Sequence, residues 1–269
     1  MIEEMNQHES GEEYDGPFVE FRGVEKSFGE KAVLRGIDLK VERGEVLVIL
    51  GGSGSGKSVT LRHMLGLEKP DKGTVLVEGE EISDLPEEEL YPVRRKFGML
   101  FQSGALFDSM DVFGNIAFPL REHTEMSEEE IREAVERVLG LVNLPGTGEI
   151  MPIDLSGGMR KRVSLARSIV LNPKIILYDE PTTGLDPITA DTINKLIVEL
   201  QQKLNVTSVV VTHDIQSAFS VGDRIGFIAE GRFAWTGTLE EAKEAGHPTL
   251  KEFLRASNVA SAQSAAISK

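Results

Sequence analysis

Residues 46–58, VLVILGGSGSGKS, decide the fold of this chain. The first five are apolar, and an apolar run of that length ending at glycines is typical of a strand that is covered on both faces. Apolar residues then recur at helical spacing, at Val59, Leu61, Met64 and Leu65. The pattern predicts a strand, a loop and a helix in that order, which is the context that a G-x-x-x-x-G-K-[ST] phosphate-binding loop requires.

The residue types of this loop suit a nucleoside triphosphate and Mg²⁺. Glycines lack a Cβ, so several backbone N–H groups can converge on one anion beside a helix N-terminus. Lys57 adds a positive charge for the β- and γ-phosphates, and Ser58 offers a hydroxyl to a bridging Mg²⁺ ion. A flexible Gly/Ser turn is the alternative, and the flanking strand and helix argue against it. The predicted phosphate-binding residues are Gly51, Gly52, Ser53, Gly54, Ser55, Gly56, Lys57, Ser58 and Val59.

The composition limits the classes of function. Of 269 residues, 40% are hydrophobic, which is enough for a substantial core, and the absence of cysteine excludes disulfides and thiolate metal sites. The 29 Lys and Arg against 44 Asp and Glu give a net charge of −15, which repels nucleic acid and anionic lipid headgroups. No apolar run approaches the ~18 to 20 residues that span a bilayer, and the N-terminus does not resemble a signal peptide. We therefore expect a soluble cytoplasmic chain that reaches any membrane through a protein partner.

The chain divides into three regions by pattern. Residues 1–16 carry acidic side chains without Lys or Arg and predict a disordered tail. Residues 17–239 predict one nucleotide-binding domain, with short alternating segments before residue 42 that favour an antiparallel β layer, and a helical subdomain inserted over about 103–171. Residues 240–269 predict a partly disordered extension.

Two of the predicted helices carry clear start signals. Ser127 and Glu130 form a capping box in front of an apolar stripe, and Asp186 precedes a proline at the start of a long amphipathic helix. A third helix begins near Ser156, and its spacing predicts a solvent-facing basic side made of Arg160, Lys161, Arg162 and Arg167.

Polar side chains follow the predicted strands at their C-terminal ends, where ligands bind in an open α/β sheet. Asp179 is expected to hold Mg²⁺ together with Ser58, and Glu180 to act as the base or orienting group for the attacking water. His213 could donate to γ-phosphate oxygens, although a lone histidine at a strand end is more often structural. Gln102 ends a fourth predicted strand. We expect these groups around one γ-phosphate.

This ordered set of motifs resembles the nucleotide-binding subunits of ABC transporters. The resemblance runs from about residue 17 to 237, and its specific element is the signature LSGG, because a bare phosphate-binding loop occurs in many NTPases. The matching positions are residues 51–58, Gln102, residues 155–159, residues 176–181, residues 184–186 and His213. The resemblance implies an α/β fold of the ABC ATPase type, with a P-loop NTPase core of mixed sheet and helices, an antiparallel β layer and an inserted helical subdomain.

The resemblance also implies roles for these residues. Two subunits would pack head to tail as a homodimer around two ATP molecules, so that Ser156, Gly157 and Gly158 of one complete the site of the other, with Asp186 linking the two sites. Phe28 would stack on adenine, whereas the sequence alone would make it a core residue. Gln102 would sense the γ-phosphate. The implied catalytic residues are Lys57, Gln102, Glu180 and His213, and the implied metal ligands are Ser58, Gln102 and Asp179.

A narrower resemblance concerns the cargo. Met159 with the basic run after it, and residues 101–116, are similar to the ATPases of Mce-linked phospholipid transport systems of the Mla type. This implies docking on MlaE-like permease subunits through the helical insert, an Mce-domain protein and, as an option, a small regulatory STAS-type subunit. The alternatives are an ABC transporter for another solute, such as an amino acid or a drug, and a soluble ABC ATPase acting on DNA or the ribosome. The −15 charge and the absence of a long coiled-coil insertion disfavour the last.

Overall fold

A computed structural model describes residues 14–244 and, beyond them, residues 248, 250–253 and 255. The predicted disordered tail lies outside the described residues except for residues 14–16, and so does most of the predicted C-terminal extension.

The described part alternates strands and helices. The strands are β1 (Val19–Phe28), β2 (Lys31–Val41), β3 (Val46–Leu50), β4 (Lys72–Val77), β5 (Glu80–Glu81), β6 (Phe97–Leu100), β7 (Ile175–Asp179), β8 (Thr207–Thr212), β9 (Arg224–Ala229) and β10 (Arg232–Thr238). The helices are α1 (Lys57–Met64), α2 (Glu87–Arg94), α3 (Val112–His123), α4 (Glu128–Leu141), α5 (Gly157–Ile169), α6 (Pro187–Leu204), α7 (Ile215–Val221) and α8 (Leu239–Glu244), with a single 3₁₀ turn at Pro152–Asp154.

The strands form two sheets. One has six strands in the order β10-β9-β3-β8-β7-β6, in which all neighbours are parallel except β10 and β9. The other has four antiparallel strands in the order β2-β1-β4-β5. The predicted mixed sheet and separate antiparallel layer are both confirmed. Because β3, β8, β7 and β6 run parallel, their C-terminal ends meet at one edge of the large sheet.

The central strand β3 shows how the layers pack. All five of its residues are buried, and alternate side chains point to opposite faces of the sheet. Val46, Val48 and Leu50 belong to a core with helices α3 to α7. Leu47 and Ile49 belong to a second core with the antiparallel sheet and α1. A strand covered on both faces explains the uninterrupted apolar run in the sequence.

Helices α3, α4 and α5 occupy the interval between β6 and β7. The capping box is confirmed, since Ser127 Oγ accepts from the Glu130 backbone N–H and the Glu130 carboxylate accepts from that of Ser127. The predicted stripe that follows it is buried. The prediction that Lys161 faces solvent is wrong. This residue is only 5% exposed, and its ammonium donates hydrogen bonds to main-chain carbonyl groups inside the fold.

Among the residues that the structure describes, no helix combines the length and apolarity that crossing a membrane would require.

Candidate nucleotide-binding and hydrolysis site

The glycine loop lies between the end of β3 and the first turn of α1. Gly54 has a φ of 73° and Gly56 a φ of 110°, in the left-handed region that favours glycine. A Cβ on Gly56 would also lie 2.7 Å from Leu34 Cδ2. The loop is therefore pressed against β2, and the free backbone N–H groups at the start of α1 are available to an anion.

Two neighbouring glycines of the loop differ in the space around their Cα atoms. A Cβ on Gly51 would lie 2.5 Å from Ile228 O, whereas a Cβ on Gly52 would meet nothing within 4 Å. Gly51 thus permits close packing against β9, and Gly52 lies where the backbone has open space.

Lys57 connects the loop to the end of β7. Its side chain is buried, and Nζ donates to Gly51 O at 2.9 Å and Gly52 O at 3.1 Å. Nζ also lies 3.5 Å from Glu180 Oε1. The predicted phosphate-binding ammonium and the predicted base are therefore direct neighbours.

Glu180 is held tightly at both its backbone and its carboxylate. Its φ of 50° is left-handed, and its N–H donates to Val211 O at 2.9 Å. Oε2 accepts from Thr183 Oγ1 at 3.1 Å and, more weakly, from Thr212 Oγ1 at 3.4 Å. Neither threonine stands out in the sequence, because Thr183 reaches this carboxylate through the turn after β7 and Thr212 through the pairing of β8 with β7.

His213 contacts the same carboxylate oxygen, with Nδ1 2.9 Å from Glu180 Oε2. An ionised carboxylate only accepts hydrogen bonds, so Nδ1 carries the proton. A neutral ring then has a lone pair at Nε2, and only the imidazolium would donate from there. The predicted donation from His213 to a γ-phosphate therefore requires the imidazolium or the loss of its bond to Glu180.

Ser58 and Asp179 supply an oxygen pair that suits Mg²⁺. Ser58 Oγ donates to Asp179 Oδ1 at 3.0 Å, across the gap between α1 and β7. Burial raises the pKa of Asp179, against the opposing effects of the Ser58 hydrogen bond and the Lys57 charge. Mg²⁺ takes few protein oxygens and completes its octahedron with phosphates and water, so this hydroxyl–carboxylate pair fits the ion.

Gln102 is placed differently from the other predicted ligands. It follows β6, two strands further from β3 than β8, and it is exposed. Its main-chain carbonyl accepts a hydrogen bond from Lys161. Within the described ranges no hydrogen bond links its side chain to Ser58 or Asp179, so its roles at the metal and the γ-phosphate stay predictions.

A pocket of about 230 Å³ opens beside the loop. Phe28 is 44% exposed at its rim, with Lys26 Nζ 5.4 Å from the ring centroid, so it is not the core residue that its hydrophobicity suggests. Stacking of Phe28 on adenine stays a prediction. The pocket is lined by Phe28, Lys31, Val33, Gly54, Gly56, Lys57, Ser58 and Val59.

The signature segment lies at the start of helix α5, apart from the glycine loop. Ser156 is the N-cap, with Oγ accepting from Met159 N at 3.2 Å, and both Ser156 and Gly157 are exposed. Gly158 is buried, and a Cβ there would lie 2.4 Å from Thr189 Cγ2. The small size of Gly158 thus serves packing between α5 and α6 as well as any approach of a phosphate. Across the described part of the chain, no hydrogen bond joins this segment to the loop.

Asp186 caps α6 and is hydrogen-bonded to Thr189, the residue that also packs against Gly158. Its carboxylate accepts from the N–H groups of Ile188 and Thr189 at 3.0 and 3.1 Å and from Thr189 Oγ1. The Thr189 hydroxyl, followed by these N–H groups, lowers the pKa of Asp186. Thr189 therefore contacts Asp186 with its hydroxyl and Gly158 with its methyl group, a link that the motifs alone did not reveal.

Known proteins resemble this chain over most of its length. The intermembrane phospholipid transport system ATP-binding protein MlaF of Escherichia coli K12 is 41% identical over 236 residues, which cover 88% of each chain. The probable ribonucleotide transport ATP-binding protein mkl of Mycobacterium leprae is 42% identical over 239 residues, which cover 89% of this chain and 69% of the relative.

Two solved structures share the fold. A dimeric ATP-binding cassette in a post-hydrolysis state, bound to ADP and Pi, is 35% identical with a TM-score of 0.76, and the match covers 82% of this chain and 98% of the other. The protein cbiO1 of Clostridium perfringens, part of the ABC transporter complex cbiONQ, is 30% identical with a TM-score of 0.79, covering 93% and 99%. The family model described as ABC transporter matches residues 34–183. This chain belongs to the ABC transporter family, as an ATPase subunit of a transporter.

Proposed function

We propose that this chain hydrolyses ATP to drive phospholipid transport between or across bacterial membranes, through an MlaE-like permease and an Mce-domain protein. The observation that carries the hydrolytic part is the cluster of Lys57, Glu180 and the Ser58–Asp179 pair at one edge of the sheet. The phospholipid cargo rests on the likeness to MlaF, which extends over 88% of both chains.

In this proposal the loop and Lys57 bind the β- and γ-phosphates, and Ser58, Asp179 and Gln102 hold Mg²⁺. Mg²⁺ held there would supply positive charge to the phosphate oxygens. Phosphate oxygens are stronger acceptors for the Lys57 ammonium than the carbonyls of Gly51 and Gly52.

Glu180 is the group that we assign to the attacking water. Its Oε2 already accepts from Thr183 and His213, and its Oε1 faces Lys57. Once Lys57 binds phosphate, Oε1 is the oxygen that can orient a water and take its proton. His213 then serves first to fix the rotamer of Glu180.

A second copy of the chain completes the site. Ser156 and Gly157 are exposed at the N-terminus of α5, where backbone N–H groups and the helix dipole favour an anion. A head-to-tail homodimer would bring them to the γ-phosphate held by the other subunit, with Asp186 near the contact between the two sites. The dimeric arrangement of a 35% identical cassette supports this.

The proposed location is the cytoplasmic face of the inner membrane, where the chain is peripheral and held by the permease. The helical insert, which is the region assigned to permease docking, has exposed apolar side chains at Phe107, Met151 and Ile153, and Phe101 is exposed just before it. The net charge of −15 argues against direct binding to anionic lipid or nucleic acid. A small regulatory STAS-type subunit is a further partner of this type of system.

The cargo is tested by purifying the full chain with its native membrane partners and reconstituting the complex in phospholipid vesicles. We expect ATP-dependent transfer of a fluorescent phospholipid to acceptor vesicles, and no transfer by a complex carrying Glu180→Gln. Transport of a ribonucleotide without lipid transfer would contradict the proposal and favour the activity that names the mycobacterial relative.

A further inference from the structure

Lys161 lies one turn into α5, after the signature glycines, and it points into the fold. The residue is 5% exposed. Its ammonium donates to the main-chain carbonyl of Gln102 and, at 3.3 Å, to that of Glu180. One side chain therefore bridges three segments: the turn after β6, the signature helix and the turn after β7.

A buried ammonium is costly unless it is well paired. The hydrogen-bond partners of Lys161 within the described residues are two neutral carbonyls rather than a carboxylate of an ion pair. An apolar side chain of similar length would avoid the cost of the charge but would leave the carbonyls of Gln102 and Glu180 without this donor. The position of the charge thus points to a role beyond packing.

Glu180 is the partner for which such a contact matters most. Its φ of 50° is unfavourable for a residue with a Cβ and persists only where surrounding contacts hold it. Thr183 and His213 hold the carboxylate, and the carbonyl accepts from the Thr183 backbone N–H at 3.2 Å and from the side chain of Lys161 at 3.3 Å. A displacement of this carbonyl that shifts the Cα of Glu180 would also shift the carboxylate.

We propose that Lys161 is a positioning residue for hydrolysis: it fixes the backbone of Glu180 and couples it to the segment that follows β6. This rests on the proposed role of Glu180. Because Gln102 leads into the region assigned to permease docking, a displacement there would reach the backbone of Glu180 through one ammonium.

The test compares Lys161→Met with Arg162→Met in the full chain. Arg162 is the matched control, since it lies on the same helix and also donates to two carbonyls, those of Val142 and Asn143 at the end of α4. We expect kcat of Lys161→Met to fall about tenfold or more with KM and ATP affinity within about twofold, because small misplacement of a reacting group mainly slows the chemical step. Arg162→Met should keep kcat within about twofold of wild type.

The second measurement is kcat of a variant with an uncharged hydrogen-bond donor at position 161. The amide of Lys161→Gln can donate to at least one of the carbonyls, so its kcat should lie at least about threefold above that of Lys161→Met and below wild type. With ATP, Lys161→Met should also accumulate as a nucleotide-bound dimer, which simple loss of helix stability would not cause.

Three results would overturn the inference: equal losses of kcat in Lys161→Met and Arg162→Met, a loss that appears in ATP binding instead, or a Gln variant as slow as the Met variant. If Lys161→Met does not fold, Lys161→Gln and Arg162→Gln replace the pair, and equal kcat values would reject the role. A wild-type chain without ATPase activity would instead refute the proposed function, so the two failures are distinguishable.

Discussion

Two glutamates, Glu78 and Glu180, lie near opposite ends of the strands of the large sheet. Both have a left-handed φ, near 50°, and both lie beside lysine. Glu78 follows β4 and binds Lys96, Arg43 and Lys174 at 2.8, 3.0 and 3.2 Å, three residues that lie just before β6, β3 and β7. Glu180 follows the other end of β7.

The two glutamates differ in the segments that supply their neighbouring cations. At Glu78 the three cations come from the segments just before β3, β6 and β7, so the carboxylate after β4 links the antiparallel sheet to the large sheet as a structural hub. At Glu180 the cation that faces the carboxylate, Lys57, belongs to the glycine loop, and Oε2 is held by hydroxyls and an imidazole. We infer that the first cluster stabilises the fold and that the second is adapted to reaction.

Ser156→Phe should have the largest effect, because it would block the segment that we propose completes the nucleotide site of a second copy. We expect no measurable turnover while a single chain still binds nucleotide, measured by steady-state ATPase and by titration of a fluorescent ATP analogue. The control is Ser127→Phe, which removes the N-cap of α4 and costs a comparable ~1 kcal/mol of stability. Turnover of Ser156→Phe equal to that of the control would argue against a composite site.

Lys57→Ala tests whether the cation beside Glu180 serves the ligand. Removing a charge-assisted contact to phosphate should weaken ATP binding by about tenfold or more, measured by calorimetry. The matched variant is Lys174→Ala at the other end of β7, which should lower stability and leave ATP affinity within about twofold. A similar loss of affinity in both variants would break the contrast between the two clusters.

Glu78→Gln should affect stability and leave turnover nearly unchanged. Burial alone would raise the pKa of Glu78, but hydrogen bonds and charges from Lys96, Arg43 and Lys174 outweigh it and lower the pKa from 4.5 to about 2. Loss of this paired charge should reduce the free energy of unfolding by about 1 to 3 kcal/mol at pH 7. Glu25→Gln is the control, since its ion pair with Lys72 is exposed and contributes about 0 to 1 kcal/mol.

The pH dependence has a defined sign. A carboxyl group whose folded-state pKa is lowered stabilises the native state above its unfolded pKa, and this stabilisation is lost as the pH falls through the folded pKa. The stability difference between wild type and Glu78→Gln should thus be constant above about pH 5 and shrink as the pH falls from 4.5 towards about 2. Denaturant unfolding at a series of pH values checks this. A stability difference that grows towards low pH would contradict the structural role of the Glu78 carboxylate.

The sequence predicted what depends on local pattern. The apolar run of β3, the capping box of α4 and the Asp-Pro start of α6 appear as predicted, because strand, cap and helix signals act within a few residues. The parallel strands then explain why Asp179, Glu180 and His213 converge.

What the sequence missed depends on contacts between distant segments. A polar residue on a helix is normally predicted to face solvent, and Lys161 is instead buried. Phe28 is exposed because it lines the pocket and is not packed in a core. The partners of Glu78 lie up to 96 residues away along the chain. No local signal identifies such a cluster, since its members share no motif.

The most direct test of the contrast between the two glutamates is the turnover of Glu180→Gln, measured with its ATP affinity and its free energy of unfolding. We expect kcat to fall about a hundredfold or more, because a general base is lost, while ATP still binds and an ATP-bound dimer accumulates. The free energy of unfolding should change by less than it does in Glu78→Gln. Turnover of Glu180→Gln within about threefold of wild type would contradict the assignment of Glu180 as the base.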